Sequence, residues 1–295
     1  MRAELALYAR AEHAEGPSWD RQSARLWWVD ITGQRVHCFD PVSGADCSWN
    51  VGLDTGAVIL TTSGAVLLAV PNGLVKFDPV TGTVGELIAV EAELPGNRLN
   101  DAKVDSTGRL WVGTMPYDKR PGVGGLYSID SKREVVSQMR DLTIVNGPAF
   151  DDALSRLYVA DTSAGLVYAA DFDLHSGTIG ARRVFVDLSG AGYWPDGMTV
   201  DNEGRLWVAV GCDSSVHCYS PDAALLERIE LPVSNPTSVC FGGEQGSTLF
   251  ITTSWYDISH AARLEQPLAG SIFTAQPGAV GAPAYRYADQ VKARG

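Results

Sequence analysis

"WPDGMTVDNEGRLWVAV", residues 194–210, reads as a strand, a tight turn and a second, aromatic strand. A near copy, "LNDAKVDSTGRLWVGTM", occupies 99–115, and a looser one, "VNGPAFDDALSRLYVA", occupies 145–160. Each copy sets an Asp or Asn 10 or 11 residues ahead of the Leu that opens its aromatic strand. The copies extend to six units when aligned on that strand: "LWWVD" from Leu26, "LLAV" from Leu67, "LWVGT" from Leu110, "LYVAD" from Leu157, "LWVAV" from Leu206 and "LFITT" from Leu249. Successive units begin 41, 43, 47, 49 and 43 residues apart. A third strand follows in each, among them "GLVKFDPVTG", "GGLYSID" and "GSIFTA".

A repeat of this length with several strands per unit is the period of a β-propeller blade. Solenoids of similar period are helical, and this chain lacks long stretches with apolar residues at helical spacing. The spacing therefore predicts an all-β chain: one six-bladed β-propeller domain over 1–295 with four-stranded antiparallel blades. Residues 4–8, "ELALY", precede the first unit and are expected to supply a strand that closes the ring against the last blade, leaving no exposed edge.

Composition narrows the function. A net charge of −12 and the lack of any basic run argue against nucleic acid and against docking on anionic membranes. "MRAELALYAR" is not a secretory signal, and no segment reaches eighteen uninterrupted apolar residues. Five cysteines without a CxxC pair speak against a disulfide framework or a thiolate zinc site, so a reducing cytoplasm is the expected location. Oligomeric state is left open.

The turns "VDSTG" and "VDNEG" carry glycine where positive φ is needed. Ahead of each inner strand stand Glu15-Gly16-Pro17, Thr55-Gly56-Ala57, Asn100-Asp101-Ala102, Asn146-Gly147-Pro148, Asp196-Gly197-Met198 and Asn235-Pro236-Thr237. Rotational symmetry puts equivalent positions on one ring about the propeller axis, so these polar groups converge at one mouth of the channel. Burying carboxylates and amides together is costly unless something pairs them, and a divalent cation is the natural partner.

With these motifs in hand, the chain resembles the regucalcin (senescence marker protein), gluconolactonase and sugar-lactone hydrolase family. The resemblance runs from about residue 12 to 275 and rests on "AEGPSWD" with "LWWVDI", "NRLNDAKVDSTGRLWVGTM" at 97–115, "VNGPAFD" at 145–151 and "YWPDGMTVDNEGRLW" at 193–207. It implies a six-bladed propeller, one metal held by Glu15, Asn146 and Asp196, and substrate contacts from Arg98, Asn100 and Asp101. The chain departs from mammalian members in the loop after "GTM": "PYDKRPGVGG" at 116–125 offers neither Asp118 nor Lys119 as the Glu found there, and it is a candidate lid.

Oxygen-only ligands with two negative charges suit Ca²⁺, Mg²⁺, Mn²⁺ or Fe²⁺. Zn²⁺, which prefers His and Cys, enters through the resemblance alone. The expected reaction is metal-assisted hydrolysis of a sugar lactone, with Asp196 the catalytic group at the attacking water. Two alternatives stand beside it: a non-catalytic calcium-binding propeller, and a metal-dependent esterase or organophosphatase. Tyr193 and Trp194 are read as packing between blades in preference to a platform for sugar.

Overall fold

The computed structural model describes residues 1–289; the last six residues of the expected domain lie outside the described ones. Six antiparallel sheets succeed one another along the chain. Their innermost strands are Ala14–Asp20, Ala57–Leu60, Asn97–Val104, Val145–Asp151, Trp194–Val200 and Pro236–Gly242. The aromatic second strands follow, from Arg25–Asp30 in blade 1 to Thr248–Thr253 in blade 6. This is the six-bladed β-propeller that the repeat predicted. Blade 4 carries one extra two-residue strand, Thr178–Ile179.

Glu4–Leu7 closes the ring as expected, pairing antiparallel with Ile272–Ala275 as the fourth strand of blade 6. Burial explains why closure is favoured. The buried apolar side chains fall into six clusters, each shared by two neighbouring blades. Trp27 and Val29 of blade 1 pack with Val58 and Leu68 of blade 2, and the series ends with Trp19 and Trp28 of blade 1 against Phe250 and Ile272 of blade 6. Without that last contact two blade faces would remain wet.

The hairpin turns are built alike in the near copies. Asp105 Oδ1 accepts the Thr107 and Arg109 N–H groups while Oδ2 accepts Trp111 Nε1 at 2.9 Å. Asp201 repeats this with Glu203, Arg205 and Trp207, the indole bond being 2.8 Å. Gly108 and Gly204 have φ of 85° and 77°, the freedom read into these turns. The only α-helix among the described residues, His260–Glu265, sits in the blade 6 loop and is too short to leave a 3.6-residue pattern. No helix of the described residues is long and apolar enough to cross a membrane.

Candidate metal and substrate site

Four of the polar residues of the repeat, Glu15, Asn100, Asn146 and Asp196, do not precede the inner strands but lie within them, at a bulge, while Thr55 and Asn235 stand just ahead of theirs. Pairing between first and second strands slips at Glu15/Ser18, Leu99/Ala102, Asn146/Ala149, Pro195/Met198 and Pro236/Ser238. Such an insertion bends the strand and re-aims a side chain. The adjoining glycines allow the blades to meet: a Cβ on Gly56 would fall 2.4 Å from Asn100 O, and one on Gly147 2.7 Å from Met198 N. The glycine of Asp-Gly and Asn-Gly therefore serves close approach between neighbouring inner strands at the axis, a role that the turn reading did not contain.

Glu15, Arg98, Asn100, Asn146 and Asp196 line one cavity of about 500 Å³ at one mouth of the channel. Asp101 does not join them. Successive residues of a strand face opposite ways, and Asp101 turns toward the cavity at the other end. There its Oδ1 accepts Ala102 N–H at 2.7 Å and its Oδ2 accepts Gly147 N–H at 2.9 Å, tying blade 3 to blade 4.

A chain of hydrogen bonds fixes the amides. Arg98 Nη1 donates to Asn100 Oδ1 at 2.7 Å and to Leu99 O at 3.0 Å. Asn100 Nδ2 donates to Asn146 Oδ1 at 2.5 Å, and Asn146 Nδ2 to Thr162 Oγ1 at 2.9 Å. Thr162 in turn donates to Pro195 O, beside Asp196. With both its donor and its acceptor ends assigned, Asn146 holds Oδ1 toward the cavity with one lone pair in use.

The carboxylates are under electrostatic stress. Burial raises Glu15 well above the ordinary carboxylate range, and the nearby charges of Asp196 and Asp101 raise it further. Asp196 is raised by burial and by Asp101, while a hydrogen bond with Glu15 works the other way. Two carboxyls in hydrogen-bond contact at a buried site favour sharing a proton or binding a cation. Asp196 Oδ1 is buried and has no hydrogen-bond partner among the described residues. Two carboxylates and one amide oxygen form a hard donor set. Among the described residues no group of three His, Cys, Asp or Glu side chains is placed to hold a metal, so a cation here depends on Asn146 as its third ligand.

Several cavity residues escaped the sequence reading. His13 precedes Glu15 by two positions, and burial, with help from Arg98, lowers its pKa to about 3, leaving the ring neutral. Its ring stacks on Tyr256 with centroids 5.4 Å apart. Tyr117 donates to Asp54 Oδ2 at 3.0 Å, and Lys119 pairs with Asp257 at 2.8 Å, joining loops of blades 3 and 6 over the mouth. The candidate lid loop thus lies on the cavity rim through Tyr117 and Lys119. Trp194 corrects the packing expectation: it lines the cavity and is 46% exposed, because it begins its strand at the open end of the bulge. Tyr193 does pack between blades, beside Tyr158 and Val208.

Known proteins share this architecture over nearly the whole chain. Regucalcin of Danio rerio is 31% identical over 291 residues, covering 97% of this chain and 98% of the relative. A pentonolactonase of Haloferax volcanii is 34% identical over 277 residues, covering 92% and 93%. A solved structure of a calcium-binding protein, regucalcin, from Agrobacterium tumefaciens superposes with a TM-score of 0.92 at 27% identity, covering 97% of both chains. The family model described as the SMP-30/gluconolactonase/LRE-like region matches residues 13–255, a span that holds every inner strand together with Glu15, Arg98, Asn100, Asn146 and Asp196, and the chain belongs to that family.

Proposed function

We propose that this chain is a metal-dependent lactone hydrolase that opens aldono-1,4- or 1,5-lactones of pentoses or hexoses to aldonic acids in oxidative sugar catabolism. The observation that carries the reading is the buried Asp196 Oδ1, without a hydrogen-bond partner among the described residues, beside Glu15 in a cavity that also holds Arg98. The Haloferax relative, named for lactone hydrolysis, supplies the substrate class.

Glu15, Asn146 and Asp196 would hold the cation, whether Ca²⁺, Mg²⁺, Mn²⁺, Fe²⁺ or Zn²⁺. When bound, a divalent cation supplies a Lewis acid for the lactone carbonyl and favours the negative charge that builds on its oxygen. Arg98 binds ring hydroxyls with the guanidinium donors that Asn100 and Leu99 leave free. Its surroundings are dry enough that burial lowers its pKa, so each such hydrogen bond is stronger than in water. Asn100 fixes Arg98 and Asn146 together and sets the ring over the carboxylates. Asp196 Oδ1 orients the attacking water and takes its proton; that proton then passes to the ring oxygen as the acyl C–O bond breaks. His13, held neutral, forms a wall and carries no charge into this step.

A second reading has one observation in its favour, the calcium-binding description of the Agrobacterium neighbour. It would make the chain a calcium-binding propeller without turnover. Hydrolysis of a panel of aldonolactones by metal-stripped protein, followed with a pH indicator while one cation is added at a time, separates the two. Opening of at least one lactone with one or more cations, lost in Asp196→Ala, is the expected result. Cation binding without turnover of any lactone overturns the proposal, and faster turnover of bulky apolar esters or organophosphates moves it to that alternative.

A further inference from the structure

An aldonolactone has about a dozen non-hydrogen atoms, whereas cavities of roughly 300–1000 Å³ take drug-sized ligands. The cavity of about 500 Å³ is therefore larger than one sugar ring seated at Glu15, Asn146 and Asp196 requires. The surplus lies at the rim, where three large aromatic side chains are exposed: Tyr117 at 48%, Trp194 at 46% and Tyr256 at 37%. Exposed aromatics gathered at one cavity mouth mark a binding surface more than they mark packing.

The three are not equivalent. Tyr256 is stacked on His13, with Lys119 Nζ 5.9 Å from its ring centroid. Tyr117 is tethered through its hydroxyl to Asp54. Trp194 pairs with Gly211 in the hairpin, and a Cβ built on Gly211 would meet Trp194 Cβ and Cε3 at 3.6 Å. The indole thus lies against bare backbone at its base and offers its exposed side to the cavity. It stands two residues before Asp196, about 7 Å along the strand. Asn235 lines the same cavity just ahead of the neighbouring blade's inner strand; its carbonyl is taken by Ser254 N–H, and among the described residues its side-chain amide makes no hydrogen bond. A flat indole next to a free amide suits a pyranose, which has one apolar C–H face and hydroxyls around its edge.

We propose that Trp194 and Asn235 form a second carbohydrate subsite, so that the preferred lactones carry a further pyranose ring: aldobionolactones, the oxidised forms of disaccharides. This rests on the lactonase reading and narrows it. The reaction that supplies such a substrate is a two-electron oxidation of the reducing end of a disaccharide.

The test compares cellobionolactone with gluconolactone in wild type, Trp194→Ala and Trp194→Phe. Wild type is expected to show a KM about 5- to 10-fold lower for the two-ring lactone, the size of one aromatic contact. Trp194→Ala should erase that ratio and Trp194→Phe should keep most of it. Calorimetric titration with cellobionate and gluconate reads the same ratio without turnover, so it decides the matter even if no lactone is opened, an outcome that would sink the lactonase reading alone. Equal wild-type KM or Kd values for one-ring and two-ring ligands overturn the proposal. So does a ratio unchanged in Trp194→Ala, or a loss confined to an aryl lactone such as dihydrocoumarin.

Discussion

Asn100 of blade 3 donates its amide N–H to Asn146 Oδ1 of blade 4 at 2.5 Å, so a residue outside the proposed ligand set decides which end of Asn146 faces the carboxylates. Partners that orient a metal ligand are worth about 10- to 100-fold in metal affinity. Asn100→Ala should weaken cation binding by about that factor, with far-ultraviolet circular dichroism unchanged. Calorimetric titration of the metal-stripped variant measures it, and wild-type affinity would exclude this role.

Glu15 and Asp196 oppose folding when no cation is present. Both carboxyls hold protons more tightly in the folded chain than at their ordinary values of 4.5 and 3.8. The metal-free protein therefore carries none of this penalty below about pH 4 and acquires it as pH rises, in full above the raised values. Glu15→Gln removes one of the two charges. In chelator at pH 7 it should melt higher than wild type, by about 2–4 °C for each kcal/mol of relief. Activity and cation-induced stabilisation should vanish together. A lower melting point in chelator would contradict the electrostatic account.

Cation affinity should depend on pH with a definite sign. Since the raised carboxyls carry protons in the free site, binding must expel them. Below the raised values the apparent affinity should climb up to about tenfold per pH unit for each proton released, then level off. Titrations in buffers of different ionisation enthalpy count the protons. Affinity that is flat from pH 5 to 8 would mean that both groups are already ionised.

The propeller was legible because one physical constraint recurs six times: an apolar second strand must be buried against its neighbour, so Leu26, Leu110, Leu157 and Leu206 repeat. Glu15, Asn100, Asn146 and Asp196 were legible for a related reason, since rotational symmetry turns a shared offset into a shared place, whereas Arg98 lies off that offset and came through the family motif alone. Asp101 was misplaced because a motif read as a string ignores the alternation that turns adjacent residues apart. Asp54, Tyr117, Tyr256 and Asp257 were not found as site residues because they belong to the parts of the units that differ, and Trp194, which opens an inner strand, is indistinguishable by sequence from the tryptophans that pack between blades. Connections between blades vary in length and sequence, and periodicity carries no information about where they meet.

The Lys119–Asp257 pair over the mouth joins two residues with positive φ, 55° and 62°, both about half exposed. An exposed pair of this kind contributes about 0–1 kcal/mol to stability. Asp257→Asn should therefore leave the melting point within about 2 °C of wild type. The pair's place on the cavity rim predicts a different kinetic signature: a two- to five-fold change in KM, on the order of 1 kcal/mol or less, with little change in kcat. The wild-type KM should drift toward the variant's as salt screens the pair. A variant that loses kcat instead would place Asp257 in the chemistry.

Gly197 separates Asp196 from Met198 where blade 5 meets blade 6, and a Cβ there would fall 1.9 Å from Ser238 Oγ, 2.4 Å from Ser238 Cβ and 2.8 Å from Ser238 Cα. Two of those atoms belong to a side chain that rotation cannot fully withdraw, and the third is backbone. Gly197→Ala must push the two inner strands apart at the ring that carries Glu15 and Asp196. Overpacking of this kind typically costs about 1–3 kcal/mol. Because the shift acts on Asp196 itself, kcat/KM should fall by more than the stability loss alone explains. Ser238→Gly removes the two side-chain contacts and leaves the one at 2.8 Å, so the double variant should recover part of the stability and less of the activity. Gly190→Ala is the matched control, since nothing among the described residues lies within 4 Å of its Cβ position. Equal melting points for the Gly197 and Gly190 variants would show that the inner strands yield at no cost and that the glycine is not needed for close approach.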